Sequence, residues 1–101
     1  MTHRVPHRFQ RVTFCKDVVV QVIGGDALVL NLRDETVFSL NSTGARIAGL
    51  IAAGLPFDKL VETLSLEYGA EPSEVAEDVI ALVDVLLSKG LVVPAPAEAD
   101  S

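Results

Sequence analysis

The 101-residue sequence has no tryptophan, one cysteine and two histidines. Cys15 alone cannot form an internal disulfide or a cysteine zinc site. His3 and His7 lie on either side of Pro6 in a basic segment, so a helical pair of metal ligands is not expected there. The sequence therefore predicts neither a metal nor a cofactor.

Long apolar runs and catalytic motifs are also lacking. No run approaches the roughly 20 residues that cross a bilayer, and the basic start MTHRVPHRFQRVTF is not followed by the apolar stretch of a signal peptide. Both absences indicate a cytoplasmic protein. No serine, threonine or lysine lies in a recognisable motif beside a general base, so we expect no catalytic activity.

Charge is distributed unevenly along the chain. Residues 1–17 carry four basic residues and one acidic residue, whereas the remainder carries four basic and thirteen acidic residues. An acidic body repels phosphate backbones and attracts cationic partners.

Three short strands are predicted in the first half. The run VVVQVI at residues 18–23 ends at Gly24-Gly25-Asp26, and ALVLNL at residues 27–32 alternates with a period of two. A turn at residues 33–35 leads into TVFSL at residues 36–40. Tight connections between consecutive strands indicate an antiparallel meander, so TVFSL forms one edge.

Three helices are predicted in the second half. Asn41 or Ser42 can cap a helix that Gly54 ends. A second helix runs from Phe57 to Tyr68, and a third begins near Pro72 and ends at Lys89-Gly90. Strands followed by helices predict an α+β domain, and the short connection at residues 69–71 is compatible with a winged helix-turn-helix.

The composition divides the chain into three parts. Residues 1–17 are expected to form a flexible basic arm and residues 18–93 a single domain. Residues 94–101, PAPAEADS, are rich in proline, alanine and acidic residues and are expected to form a disordered tail. Leu91 to Val93 are compatible with a short extended piece at the end of the domain.

Two stretches carry a family resemblance. In VLNLRDETVFSLNSTGARIAGLI the pattern is an apolar strand, a hairpin turn, a strand with an aromatic residue, then LN-x-TGA and a helix. Its matching residues are Leu30, Leu32, Phe38, Leu40, Asn41, Thr43, Gly44, Ala45 and Ile47. In LEYGAEPSEVAEDVIALVDVLLSKGLV they are Tyr68, Asp78, Val79, Leu86, Gly90 and Leu91. Together, over residues 18–93, these stretches resemble the PqqD-like family.

The resemblance implies a winged-helix-like domain known as a RiPP recognition element. Such domains bind the leader segment of a ribosomally made precursor peptide and present the precursor to modifying enzymes: a leader peptidase, a cyclase or a radical SAM enzyme, in lasso-peptide or PQQ-like pathways. The leader lies as an added strand along the third strand, over a groove flanked by the third helix.

The residues expected to contact the peptide follow from that arrangement. They are Thr36, Val37, Phe38, Ser39 and Leu40 in the strand, and Glu74, Val75, Asp78, Val79 and Leu82 in the helix. Independently, residues 36–40 contain neither a charge nor a proline, the usual protections of an edge strand. A second copy of the chain or its own end could equally cover this edge, and the helix carboxylates fit a solvated face.

Two other functions remain open at this stage. A winged-helix DNA-binding regulator would need a basic recognition helix, but residues 72–88 contain carboxylates and neither lysine nor arginine. A structural subunit of an enzyme complex would share the fold without binding peptide. Neither nucleic acid nor a membrane is expected as a partner, whereas a homodimer is possible.

Overall fold

The computed structural model describes residues 11–95, which form five strands and three helices. The strands are β1 (Arg11–Phe14), β2 (Val18–Ile23), β3 (Asp26–Asn31), β4 (Thr36–Leu40) and β5 (Val92–Ala95). The helices α1 (Ser42–Ala52), α2 (Phe57–Tyr68) and α3 (Pro72–Ser88) lie between β4 and β5. The predicted α+β order, with a three-stranded meander before three helices, is confirmed.

The meander is an antiparallel sheet in the order β2-β3-β4. Gly24 has a φ of 65°, which a two-residue hairpin turn requires at its first central position and glycine adopts without strain. In the second turn Glu35 takes a φ of 62°, and its N–H donates to the Asn31 carbonyl (2.8 Å). Both turns fix the strand register.

The two faces of the sheet differ in what they cover. Ala27, Val29 and Asn31 of β3 are buried towards the helices, whereas Leu28 and Leu30 lie on the outer face and are only partly buried. The Asn31 side-chain oxygen accepts the Arg33 N–H (3.0 Å), which satisfies this buried polar group. The smaller side chains therefore face the core, because α1 packs closely against β3.

Local signals explain the helix ends. The Asn41 side chain caps α1 by accepting the Gly44 N–H (2.9 Å). Gly69 ends α2 with a φ of 63°, the left-handed conformation that glycine favours at this position. Pro72 opens α3, where its missing N–H is not needed.

Helix α1 lies at the centre of the packing, in contact with β3 and β4 on one side and with β1 and α2 on others. The buried core joins side chains of all three helices to β3 and to the β1–β5 ladder. No helix within residues 11–95 is long and apolar enough to cross a membrane.

The chain ends differ from the sequence-based division. Residues 11–14, assigned to the flexible arm, form β1, and Pro94 and Ala95, assigned to the disordered tail, belong to β5. The two strands pair antiparallel from Arg11↔Ala95 to Phe14↔Val92. Each strand is too short to show a pattern by itself, and its partner lies far away in sequence. The rest of the predicted arm and tail lies outside the described residues.

Candidate functional site

Strand β4 is an edge strand with one open side. Within residues 11–95 its sole neighbour in the sheet is β3. The described part of the chain end does not cover β4, because β5 pairs with β1 instead. An open edge presents backbone N–H and C=O groups to which another strand can pair.

The sheet register shows which β4 residues direct their backbone outwards. Leu32 N–H donates to the Asp17 carbonyl (2.9 Å), extending the β2–β3 ladder by one hydrogen-bonded pair. Hydrogen-bonded and non-hydrogen-bonded pairs alternate in an antiparallel ladder, so Val29 and Asn31 bond towards β4. Their partners are Phe38 and Thr36, which leaves the intervening residues, 37 and 39, facing the open side.

A groove of about 520 Å³ opens beside the end of β4. It lies between the β4–α1 corner and α3. The lining residues are Ser39, Leu40, Asn41, Thr43, Gly44, Ile47, Asp78, Ala81, Leu82 and Val85. Asp78 is the one formally charged residue among them, so the groove combines apolar side chains of α1 and α3 with polar groups at the β4–α1 corner and a negative charge on one wall.

The corner between β4 and α1 is held closely. A Cβ added to Gly44 would lie 3.2 Å from both Cβ and Cδ2 of Leu40, a separation tighter than ordinary packing. The glycine therefore lets the first turn of α1 approach the end of β4. Together with the Asn41 cap, this contact fixes the groove wall against the open edge.

Helix α3 presents two different stripes. Val75, Val79, Val83 and Leu86 are buried in the core. Asp78, Ala81, Leu82 and Val85 line the groove, and their spacing of three to four residues places them on one side of the helix.

The helix residues expected to contact a peptide are divided between these two sides of α3. Asp78 and Leu82 line the groove, whereas Val75 and Val79 do not, because both face the core. Contact of any of these residues with a peptide stays a prediction, and burial of Val75 and Val79 counts against them. Glu74 is exposed one turn before Asp78 without lining the groove.

The strand residues of the predicted site have distinct positions. Ser39 and Leu40 line the groove, and Val37 is 59% exposed on the outer face. The Thr36 hydroxyl donates to Asp34 (2.6 Å) within the turn. The ring of Phe38 is partly buried beneath Lys89, whose Nζ lies 5.0 Å from the ring centre.

Sequence reasoning missed part of the groove wall. Thr43 and Ile47 in α1 and Ala81 and Val85 in α3 line it without having been proposed. Val85 follows Asp78 by seven residues, and that spacing was readable in the sequence. What the sequence did not show was which stripe of α3 turns towards the sheet edge.

Within residues 11–95 no cluster of histidine, cysteine or carboxylate side chains is arranged to hold a metal ion. The ion pair between Arg46 and Glu67 joins α1 to α2 away from the groove. There, the hydrogen bond from Arg46 holds the pKa of Glu67 below its ordinary value.

Comparisons with known proteins agree on one family. Residues 26–92 match the family described as Coenzyme PQQ synthesis protein D (PqqD). No curated protein matches the sequence.

Two solved structures share the fold. TbiB1 in complex with the TbiA(beta) leader peptide has a TM-score of 0.75 and 26% identity, with 87% of this chain and 99% of that chain covered. A lasso peptide synthetase B1 complexed with the leader peptide has a TM-score of 0.75 and 24% identity, with 83% and 99% covered. At its lower identity the second likeness supports the fold alone.

Proposed function

Since the chain belongs to the PqqD family, we propose that it is a non-catalytic adaptor which binds the leader segment of a ribosomally made precursor peptide. The leader would pair as an added strand with β4 and place side chains in the groove beside α3. The adaptor would then present the precursor to a modifying enzyme, such as a leader peptidase, a cyclase or a radical SAM enzyme, in the cytoplasm where precursors are made.

The observation that carries the proposal is the open backbone of residues 37 and 39 beside a groove with both apolar and polar walls. In strand addition, main-chain hydrogen bonds supply affinity and pockets for side chains supply selectivity. The β4 edge offers the main-chain hydrogen bonds, and the groove offers the pockets for side chains. Similarity to TbiB1, which was determined with a leader peptide, supports a peptide as the guest.

DNA binding is a poorer fit to the same surface. Every charged residue within α3 is a carboxylate, and carboxylates repel the phosphate backbone instead of neutralising it. Lys89, which follows the helix, lies over Phe38.

The test compares two valine-to-proline variants at opposite edges of the sheet. Val37 of β4 is 59% exposed and Val22 of β2 is 65% exposed. By the ladder alternation described above, both direct their N–H away from β3. Proline removes that donor and obstructs pairing, so Val37→Pro should block a guest strand on β4 and Val22→Pro should not.

The ligand for this test is a synthetic leader peptide, taken from a precursor gene identified by sequencing the genes around that of this chain. We expect Val37→Pro to raise the Kd by about ten-fold or more, the equivalent of roughly one lost hydrogen bond. Val22→Pro should bind like the parent, and Ser39→Pro should behave like Val37→Pro. Circular dichroism checks that each variant folds, and titration by fluorescence anisotropy gives the Kd.

Two outcomes would contradict the proposal. Folded Val37→Pro and Ser39→Pro variants that bind the leader as the parent does would exclude strand addition at β4. A parent protein that sediments as a dimer, and becomes a monomer when Val37 is replaced by proline, would show that a second copy occupies the edge.

A further inference from the structure

Two residues of opposite charge lie near the open edge of β4: Asp78 in α3, and Lys89 directly after the end of α3. Asp78 lines the groove beside the β4–α1 corner. Lys89, at the C-terminal end of the helix, lies 5.0 Å from the ring centre of Phe38 in the middle of β4. The negative charge is thus nearer the end of β4, and the positive charge is nearer its middle.

Both charges remain available to a guest. Within residues 11–95 the ion pairs join Arg33 to Asp17, Arg46 to Glu67 and Lys59 to Glu62, and none involves Asp78 or Lys89. Both side chains belong to exposed residues. Glu74, also exposed, lies one turn before Asp78 and adds negative charge to that end.

The spacing of the two charges can be expressed in residues of a strand. Asp78 and Lys89 are eleven positions apart, or about 16 Å along a helix at 1.5 Å per residue. A strand rises about 3.3 Å per residue, so a guest that pairs along β4 and enters the groove would pass both charges within about five residues. Strand β4 runs from the Lys89 end towards the Asp78 end.

We propose that Asp78 and Lys89 select the guest peptide by the order of its charges: a basic residue followed, about five positions later, by an acidic residue. This order holds for a guest antiparallel to β4, the arrangement of every strand pair in the structure. The inference rests on the proposed function, because it assumes that a peptide occupies the β4 edge. Complementary charges at a rim contribute mainly to specificity and to the association rate.

The test selects binders from a phage-displayed library of random peptides of about 20 residues. The target is the full chain, and the same library is selected against Asp78→Lys/Lys89→Glu, a swap that leaves the net charge unchanged. A matched control swap, Asp84→Lys/Lys16→Glu, reverses two exposed charges that neither line the groove nor lie over Phe38, and that are absent from the ion pairs named above. Melting temperatures confirm that all three proteins are folded.

We expect peptides enriched on the parent and on the control swap to carry the basic residue first. Peptides enriched on the groove swap should carry the acidic residue first. Reversing one charge of an enriched synthetic peptide should raise its Kd about two- to five-fold for the parent at low salt, the range of an exposed ion pair. The difference should shrink in high salt.

The outcomes separate this inference from the proposed function. Suppose that the enriched peptides lose binding to Val37→Pro but show no charge order, or show the same order on the parent and on the groove swap. The charge selection would then be wrong, and strand addition at β4 would still be supported. Failure to enrich any peptide sensitive to Val37→Pro would overturn strand addition, and the charge selection with it.

Discussion

Val79 and Val85 lie six positions apart in α3 and have different surroundings. Val79 is 0% exposed in the core, whereas Val85 is 38% exposed and lines the groove. Replacing each with alanine removes the same atoms, so the pair separates packing from binding.

We predict that Val79→Ala lowers the free energy of unfolding by about 2 kcal/mol, since it loses buried methyl groups and leaves a cavity. Val85→Ala should change stability little and weaken leader binding by about 1 kcal/mol, roughly five-fold in Kd. Urea unfolding and peptide titration measure the two effects. If both variants lose the same stability and have the same Kd for the leader, the assignment of Val79 to the core and Val85 to the groove is wrong.

Arg46 and Glu67 give a residue-scale prediction about pH. Arg46 Nε donates to both carboxylate oxygens of Glu67 (3.0 and 3.1 Å), and this hydrogen bond lowers the pKa of Glu67 from 4.5. A carboxylate with a depressed pKa stabilises the folded state above its unfolded pKa, and that contribution is lost as the pH falls through the folded pKa.

The melting temperature of Glu67→Gln should therefore lie below that of the parent at about pH 7 and approach it as the pH falls to about 3. Arg46→Gln should converge with the parent over the same range, because it removes the other half of the pair. Because both side chains are solvent-exposed, the effect should be small and weakened by salt. If the difference in melting temperature between variant and parent does not change with pH, it has a cause other than the titration of Glu67.

At the scale of elements, the β3–β4 turn contains one unfavourable conformation. Glu35 has a φ of 62°, in the left-handed region where a side chain clashes with the following carbonyl and glycine does not. Glu35→Gly should raise the free energy of unfolding by up to about 1 kcal/mol. Denaturant unfolding tests this value.

A matched variant controls for the lost charge at this turn. Glu35→Ala removes the carboxylate and keeps the positive φ, so its stability should stay near that of the parent. If both substitutions stabilise the protein equally, the increase in unfolding free energy comes from removing the charge, and the backbone conformation of residue 35 does not contribute.

The elements differ in how well the sequence predicted them. The strands of the sheet and all three helices follow patterns within single segments, and α2 was predicted from Phe57 to Tyr68 as the structure has it. Residues 91–93 were expected as a short extended piece, but the pairing of β1 with β5 had no local signal, since their nearest paired residues, Phe14 and Val92, are 78 positions apart. Their pairing depends on where the helices leave the two ends.

The candidate site was predictable to the same degree. β4 was identified as an edge because a meander leaves its last strand unpaired. The groove residues of α3 were only partly predicted, because Val75, Val79 and Leu82 belong to one broad apolar face in the sequence. Packing against α2 and β5 decides how that face divides, and β5 is held there by its pairing with β1 from the other end of the described chain.

At the scale of the molecule, the strand pairing of β1 with β5 places residues 11 and 95 side by side. Residues paired across an antiparallel ladder have Cα atoms about 5 Å apart. A short turn could therefore join residue 95 to residue 11, and new chain ends could be placed elsewhere in the fold. The Gly24–Gly25 turn, at the far end of the β2–β3 hairpin from these ends, offers another position.

We predict that a circular permutant of residues 11–95, beginning at Gly25 and ending at Gly24 with Ala95 joined to Arg11 through a short Asn-Gly turn, folds and binds the leader with the affinity of the linear chain of residues 11–95. The β1–β5 contact becomes local in this permutant and the β2–β3 contact becomes distant, so the folding rate should change more than the affinity. Stopped-flow refolding and peptide titration distinguish the two. A permutant that folds but loses affinity would show that the groove depends on the order of the chain as well as on its contacts.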